Sequence, residues 1–282
     1  MSKFSVSYNV FDGVELLEDS INQIRSVVDH ISIVFQTKSY WGNKLTQKEI
    51  NIVNDLTERG IIDDLYLYEN DNNIAIHQNQ LNKRNIGIEL AKQADCTHYM
   101  TVDCDEFYVT SEFQMLIDFH RENPESISYL PLVAYYKDTK YMINSENYMD
   151  GDLYVSGFFP VKYKLVMNYP LGIKVDPTRK VGVSATFLKL FNKHQIKMHH
   201  LSYIRADLHQ KVNNAPSKLR YGNKQDHFNN MVECYNNFEE DRIALSADGK
   251  EYEIVDVKPE VVLNKYYHLI KNEKLELKLK LK

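Results

Sequence analysis

The sequence predicts an α/β protein built on a mainly parallel, twisted sheet with helices on both faces. Three observations carry that expectation. Short β-branched or aromatic runs alternate with segments of helical periodicity as far as residue 103. A strand, a helix and a second strand are complete within the first 35 residues, which makes a βαβ opening. The second run, Ile31 to Phe35 (ISIVF), is apolar almost throughout, as a strand covered on both faces would be.

Phe4 to Val10 (FSVSYNV) reads as the first strand, with partial alternation of large apolar and small polar residues. Asp12 and Glu15 have the spacing of a capping box, and Leu17, Ile21, Ile24 and Val28 follow at helical intervals. After the second strand, residues 36–43, with Ser39, Tyr40, Trp41 and Gly42, read as loop. Thr46 with Glu49 is a second capping box, ahead of Ile50, Val53 and Leu56, and Gly60 is placed to end that helix in the left-handed conformation. Leu65 to Tyr68 is a short third strand, and Asp71-Asn72-Asn73 marks a turn. Leu81, Ile86, Ile88, Leu90 and Ala91 then predict a helix leading to the strand Tyr99 to Val102.

Beyond that strand the pattern changes. Ser111 with Gln114 predicts a cap for a helix bearing Phe113, Leu116, Ile117 and His120, with Pro124 past its end. Ile127 to Val133 is another strand. As far as Leu190 the chain then reads as short extended runs, such as LYVSGFFPV and ATFLKLF, in an irregular half. Asn214 and Pro216 suit N-cap and first-turn positions, and a helix with Phe228, Met231, Val232 and Tyr235 follows. The closing KLELKLKLK alternates strictly, as a charged edge strand or a frayed end would. A strand contacting an anionic surface or a partner sheet is the functional alternative.

Composition narrows the function. The 282-residue chain has a formal net charge of −5, which argues against a nucleic-acid-coating surface while allowing a local basic pocket. Cys96, Cys104 and Cys234 lack zinc spacing, and an odd count does not suggest a disulfide framework, so a reducing, cytoplasmic setting is expected. The N-terminal residues are too polar for a signal peptide, and no apolar run approaches the roughly 18 residues that span a bilayer. Membrane contact, if any, would be peripheral.

The most informative stretch is His98 to Tyr108, where an apolar run ends in Asp103-Cys104-Asp105. In an extended segment, residues two apart share a side, so both carboxylates are expected to converge at the C-terminal lip of a strand. Ligands bind at that lip in open α/β sheets. Two carboxylates with open coordination positions suit Mg²⁺ or Mn²⁺ bridging phosphate oxygens.

Lys83-Arg84-Asn85-Ile86-Gly87-Ile88, then Ala91, then the strand ending in Asp103-Cys104-Asp105, resembles the nucleotide-sugar glycosyltransferases of the GT-A fold. Family-2-type members carry an A-R-N-x-G-I…A helix just before a D-x-D strand end. The likeness covers roughly the first 110 residues and extends to Asn9 after the first strand and Ser20-Ile21 in the first helix. Asp105-Glu106-Phe107 stands where D-x-D-D is frequent, and the acidic pair and tryptophan motif of polymer-making synthases are not evident. A single-sugar hexosyl- or pentosyltransferase is therefore implied rather than a processive synthase.

The resemblance implies a GT-A, Rossmann-like catalytic domain over residues 1–212. Its nucleotide-sugar half would be 1–110 and its acceptor half 111–212, followed by a helical and extended C-terminal addition over 213–282. It implies a nucleotide diphosphate sugar as donor, uridine-linked, and a hydroxyl of a glycan or glycoconjugate as acceptor. Tyr8, Asn9 and Val10 would cradle base and ribose, and Arg84 would meet the diphosphate or brace the metal carboxylates. Asp103 would lie towards the ribose, while Asp105 would ligate Mn²⁺ or Mg²⁺. A histidine from late in the domain often completes such sites. His199 and His200 point to opposite sides of an extended run, and His200 is the one expected to face the site. Arg205 and Lys211 would neutralise the leaving diphosphate. Inversion needs a base at the acceptor hydroxyl, with Asp207 and Asp152 the expected choices and Asp176 a third. Tyr135, Tyr136, Tyr154, Phe158 and Phe159 would either stack on sugars or pack the core. Two rivals stand beside this expectation: a sugar nucleotidyltransferase, and a non-catalytic glycan-binding protein that keeps the fold.

Overall fold

A computed structural model describes residues 2–144, 153–167, 171–183, 188–205, 208–214, 225–238, 243–245, 250–261 and 263. The first half alternates as β1 (Phe4–Val10), α1 (Val14–Ile24), β2 (His30–Phe35), α2 (Gln47–Glu58), β3 (Asp64–Leu67), α3 (Ile76–Gln93) and β4 (His98–Asp103). Its sheet runs β3-β2-β1-β4 with every pairing parallel. An antiparallel edge strand, β9 (Phe159–Pro160), lies against β4. This is the mixed α/β class the alternation predicts, with a mainly parallel central sheet flanked by helices.

β1 sits at the centre, and its two faces show why. Phe4, Val6, Tyr8 and Val10 are fully buried in the main core with Leu17, Ile21 and Ile24 of α1. The opposite face carries Ser5 and Ser7, small enough for α3 to lie close. A Cβ added at Gly87 on α3 would come within 2.5 Å of Ser7 Oγ and 2.4 Å of the Tyr99 hydroxyl. That helix position therefore has to be glycine for a packing reason.

A second, mostly antiparallel sheet forms from the rest of the chain. It begins with β5 (Glu106–Phe107), α4 (Thr110–Glu122), β6 (Ile127–Tyr136) and β7 (Asp138–Ile143). The short pieces β8 (Tyr154–Ser156), β10 (Leu165–Val166), β11 (Lys180–Val181) and β12 (Leu188–Leu190) follow, with a 3-10 turn at Pro177–Arg179. β13 (Met198–Tyr203), α5 (Leu208–Asn214), α6 (Gln225–Asn236), β14 (Ile243–Leu245) and β15 (Glu251–Asp256) complete the described chain. Strand order is β14-β15-β7-β6-β13-β5, with β8 and β12 also pairing β6, while β10 and β11 form a separate antiparallel pair. The described part of the C-terminal stretch is thus woven into this sheet through β15.

The two sheets are linked at the Asp-x-Asp segment. β4 ends at Asp103, the chain turns through Cys104 and Asp105, and β5 pairs antiparallel with β13, Glu106 opposite His200. Cys104 Sγ donates to the Asp12 carbonyl at 2.7 Å, which ties this turn to the one after β1.

Four local expectations change. Asp12 does not cap α1: Gly13 takes the N-cap position at φ 86°, and the Asp12 carboxylate accepts from Asn214 instead. Ser111 does not cap α4, which begins two residues earlier with Val109 at the N-cap, and the Thr110 hydroxyl donates to the Gln23 carbonyl at 2.6 Å. Asn214 closes α5 rather than opening the next helix, and Pro216 lies outside the described residues. The run from Tyr99 does not stay extended through Asp105, so strand alternation is not what brings the two carboxylates to one cleft. The Thr46–Glu49 capping box and the left-handed Gly60 are both present. KLELKLKLK lies outside the described residues.

Candidate functional site

Parallel pairing of β1 with β4 sets Asn9 directly opposite Asp103, so the C-terminal ends of the two central strands open into one cleft. Phe11, Gln36 and Tyr40 are among the residues that line it. Most of the others are charged.

Asp103 is held by two arginines. Arg84 Nη2 and Arg179 Nη2 donate to the same Asp103 oxygen at 3.0 and 2.6 Å. Arg84 is itself fully engaged, with Nη1 on Thr101 Oγ at 3.0 Å and Nε on Thr178 Oγ at 3.1 Å. Asn9 donates to the same Thr101 hydroxyl at 2.7 Å. Burial pushes the Asp103 carboxyl up, but the two guanidinium groups outweigh it and hold it well below the usual carboxylate range.

Asp105 has its own set of cations. Arg205 Nη2 lies 2.5 Å and Lys211 Nζ 3.0 Å from Asp105 Oδ2. Burial would raise this carboxyl as well, and Lys211 and Arg205 instead hold it far down. Arg205 passes over Gly13 so closely that a Cβ there would lie 1.7 Å from Arg205 Nη1. His200 Nε2 is 3.8 Å from the same carboxylate oxygen, and burial lowers its ring to about 4, so it is neutral near pH 7. His199 faces away from the site, fully buried, stacked on Tyr135 and bonded to its hydroxyl at 2.9 Å.

Two participants were given no role from the sequence. Arg179, in a turn built by Asp176, is 1% exposed and reaches Glu106 through both terminal nitrogens as well as Asp103. Burial pushes Glu106 up and Arg179 pulls it down, leaving it at about 7. Lys83, the residue before Arg84, is also buried, with Nζ 3.1 Å from Gln36 Oε1 and 3.4 Å from the Val10 carbonyl. Burial lowers Lys83 to about 8. Lys83 lies within the sequence motif, so periodicity on α3 could have placed it, whereas Arg179 sits 76 residues from Asp103.

Several other expected residues do not line the cleft. The Tyr8 ring is fully buried with its hydroxyl 3.0 Å from Ser20 Oγ, and the Val10 side chain is core, so of that trio Asn9 alone lines the cleft. Asp176 accepts from the Thr178 amide and hydroxyl, both at 2.8 Å, and so builds a turn. Tyr135, Tyr136, Phe158 and Phe159 are core residues, and Tyr154 packs beside a smaller cluster. Asp152 and Asp207 lie outside the described residues.

The donor set does not fit a divalent ion well. The cleft is lined by Lys83, Arg84, Arg205 and Lys211 against Asp12, Asp103 and Asp105. One oxygen of each carboxylate, Oδ2 of Asp103 and Oδ2 of Asp105, already accepts from two guanidinium or ammonium groups. Among the described residues, no three His, Cys, Asp or Glu side chains are grouped as a cation would need. No helix among them is long and apolar enough to cross a membrane.

No protein-family model matches the chain, and no curated protein matches it. Among solved structures, S. aureus TarS 1-349 in complex with UDP-GlcNAc is 12% identical over 85% of this chain and 74% of its own, with a TM-score of 0.41. The same TarS fragment with UDP is 11% identical, covers 85% and 73%, and scores 0.41. CMP:2-keto-3-deoxy-manno-octonic acid synthetase complexed with CTP is 9% identical over 57% of this chain and 75% of its own, with a TM-score of 0.33. Likeness at this level says nothing about what the present chain binds.

Proposed function

We propose that this protein is a GT-A-type glycosyltransferase that moves one sugar from a nucleotide diphosphate donor, uridine-linked, to a hydroxyl of a glycan or glycoconjugate. The observation that carries the reading is the cleft at the ends of β1 and β4, where four basic side chains surround Asp103 and Asp105. Such a cleft suits a ligand with an aromatic base at one end and a charged diphosphate in the middle. Phe11 and Tyr40 offer apolar surface for the base, Asn9 has a buried carbonyl oxygen without a partner among the described residues, and the cations meet the phosphates.

The reaction is a displacement at the anomeric carbon with inversion. The acceptor oxygen forms the new bond as the bond to the diphosphate breaks, and the acceptor proton passes to a carboxylate base. Asp207 and Asp152 are the proposed bases. Basic groups around the cleft stabilise charge as it develops on the departing diphosphate. The catalytic unit is proposed to span residues 1–212.

A thermal-shift screen of nucleotide diphosphates and their sugars tests the proposal, since a ligand of the native state raises Tm by mass action. Stabilisation by one nucleotide family, and sugar release from that donor to an added acceptor, is the expected result. No shift with any nucleotide at millimolar concentration overturns it.

A further inference from the structure

Resting on that reading, we infer that the donor diphosphate is held directly by Arg205 and Lys211, and that donor binding needs no divalent ion. Asp105 is then the carboxylate that pairs these two cations while no nucleotide is bound, rather than a metal ligand.

The geometry of Asp105 points this way. One of its oxygens accepts from both Arg205 and Lys211. The imidazole expected to complete a metal site approaches that same oxygen, at 3.8 Å. An ion placed between His200 and Asp105 would have to displace a guanidinium whose side chain is 1% exposed, leaving that charge buried without its partner. At Asp103, too, one oxygen is shared by two cations, Arg84 and Arg179, which would repel an ion brought to that carboxylate. A divalent ion here would also sit among four cationic groups lining the cleft.

The same cations look for acceptors. Arg205 Nη1 is buried and has no hydrogen-bond partner among the described residues, beside a glycine that leaves it room. A buried donor left unpaired is costly, and a phosphate oxygen would satisfy it. Lys211 is 28% exposed, on α5 at the rim, so its ammonium can swing from Asp105 to a bound phosphate without unpacking the core. A diphosphate would thus bring acceptors and negative charge to a cleft that already holds an excess of basic groups. In turnover these two side chains would take the charge that develops on the leaving diphosphate.

Calorimetric titration of the full chain with UDP, CDP, GDP and ADP, in EDTA and then in Mn²⁺, is the test. The expected result is a nucleotide whose affinity changes by no more than about twofold between the two conditions. Lys211→Met should weaken that nucleotide about tenfold in EDTA, the size of one charge-assisted contact. Asp105→Asn, which releases both cations, should bind in EDTA at least as tightly as wild type. Melting curves of both variants without nucleotide report whether the fold persists, and the wild-type comparison stands without either variant. Binding that appears only with Mn²⁺ overturns the inference and leaves the transferase reading in place. No binding of any nucleotide in either condition overturns both.

Discussion

Gly13 and Gly87 show how much of this site depends on single atoms. Gly13 holds a left-handed conformation under the Arg205 guanidinium. Gly13→Ala should lose about 1–2 kcal/mol from backbone strain alone. Its Cβ would also fall on Arg205 Nη1 and drive that guanidinium out of the place where it meets the diphosphate, so weaker nucleotide binding is expected together with a lower Tm. Gly87→Ala meets Ser7 and Tyr99 at distances real Cβ atoms do not adopt. Overpacking of this kind costs about 1–3 kcal/mol, and urea denaturation should show it even with the cleft residues intact. Arg179 is the most exposed to loss by substitution because Glu106 and Asp103 both lean on it. Arg179→Met should destabilise by about 3–5 kcal/mol, since it strands the buried Glu106 carboxylate, whereas Asp103 keeps Arg84. A midpoint in urea equal to wild type would show that these ion pairs contribute nothing to the fold.

Among elements, the β4–β5 turn matters most. That charge gathers where a strand ends was legible, because apolar β-branched runs and abrupt charge are local signals. The turn itself was not legible, since nothing in Asp103-Cys104-Asp105 says that the chain leaves one sheet there and joins another. Pairing of Glu106 with His200 decides it. The start of α1 was misread for a similar reason, as the Asp12 carboxylate is drawn away by Asn214, 202 residues distant. By contrast, the Thr46–Glu49 box is made by residues three apart and was readable directly. The 3-10 turn at Pro177–Arg179 clamps α3 against β4 through Thr178, whose hydroxyl accepts from Arg84. Thr178→Val is isosteric and removes that acceptor. It should cost about 1–3 kcal/mol and, by loosening Arg84, lower nucleotide affinity, both measurable on one purified variant.

Over the whole molecule, buried histidines predict an acid sensitivity. His98 and His120 lie inside the core at 2% and 0% exposure, and burial lowers both, His120 to about 3. An unfolded histidine takes up a proton near pH 6.5, while folded His120 does not until about 3. As pH falls below 6.5 the unfolded state therefore gains protons that the folded state lacks. Stability is full above that point and is lost on the way down. His120→Phe, neutral at every pH, should lose about 2 kcal/mol less than wild type between pH 6.5 and 4.5. Parallel slopes for the two proteins would show that this ring is not what acid attacks.

The sequence by itself determined the alternation of strands and helices, the strand character of FSVSYNV and of Tyr99 to Val102, and the edge at which charge gathers. Those features follow from periodicity and from hydrogen bonds between near neighbours. Only the tertiary structure decided which cation meets which carboxylate. Arg179 comes to Asp103 across 76 residues and Arg205 to Asp105 across 100. An ion pair between such distant positions needs no local pattern, because it forms only where two separately folded segments bring opposite charges out of water together.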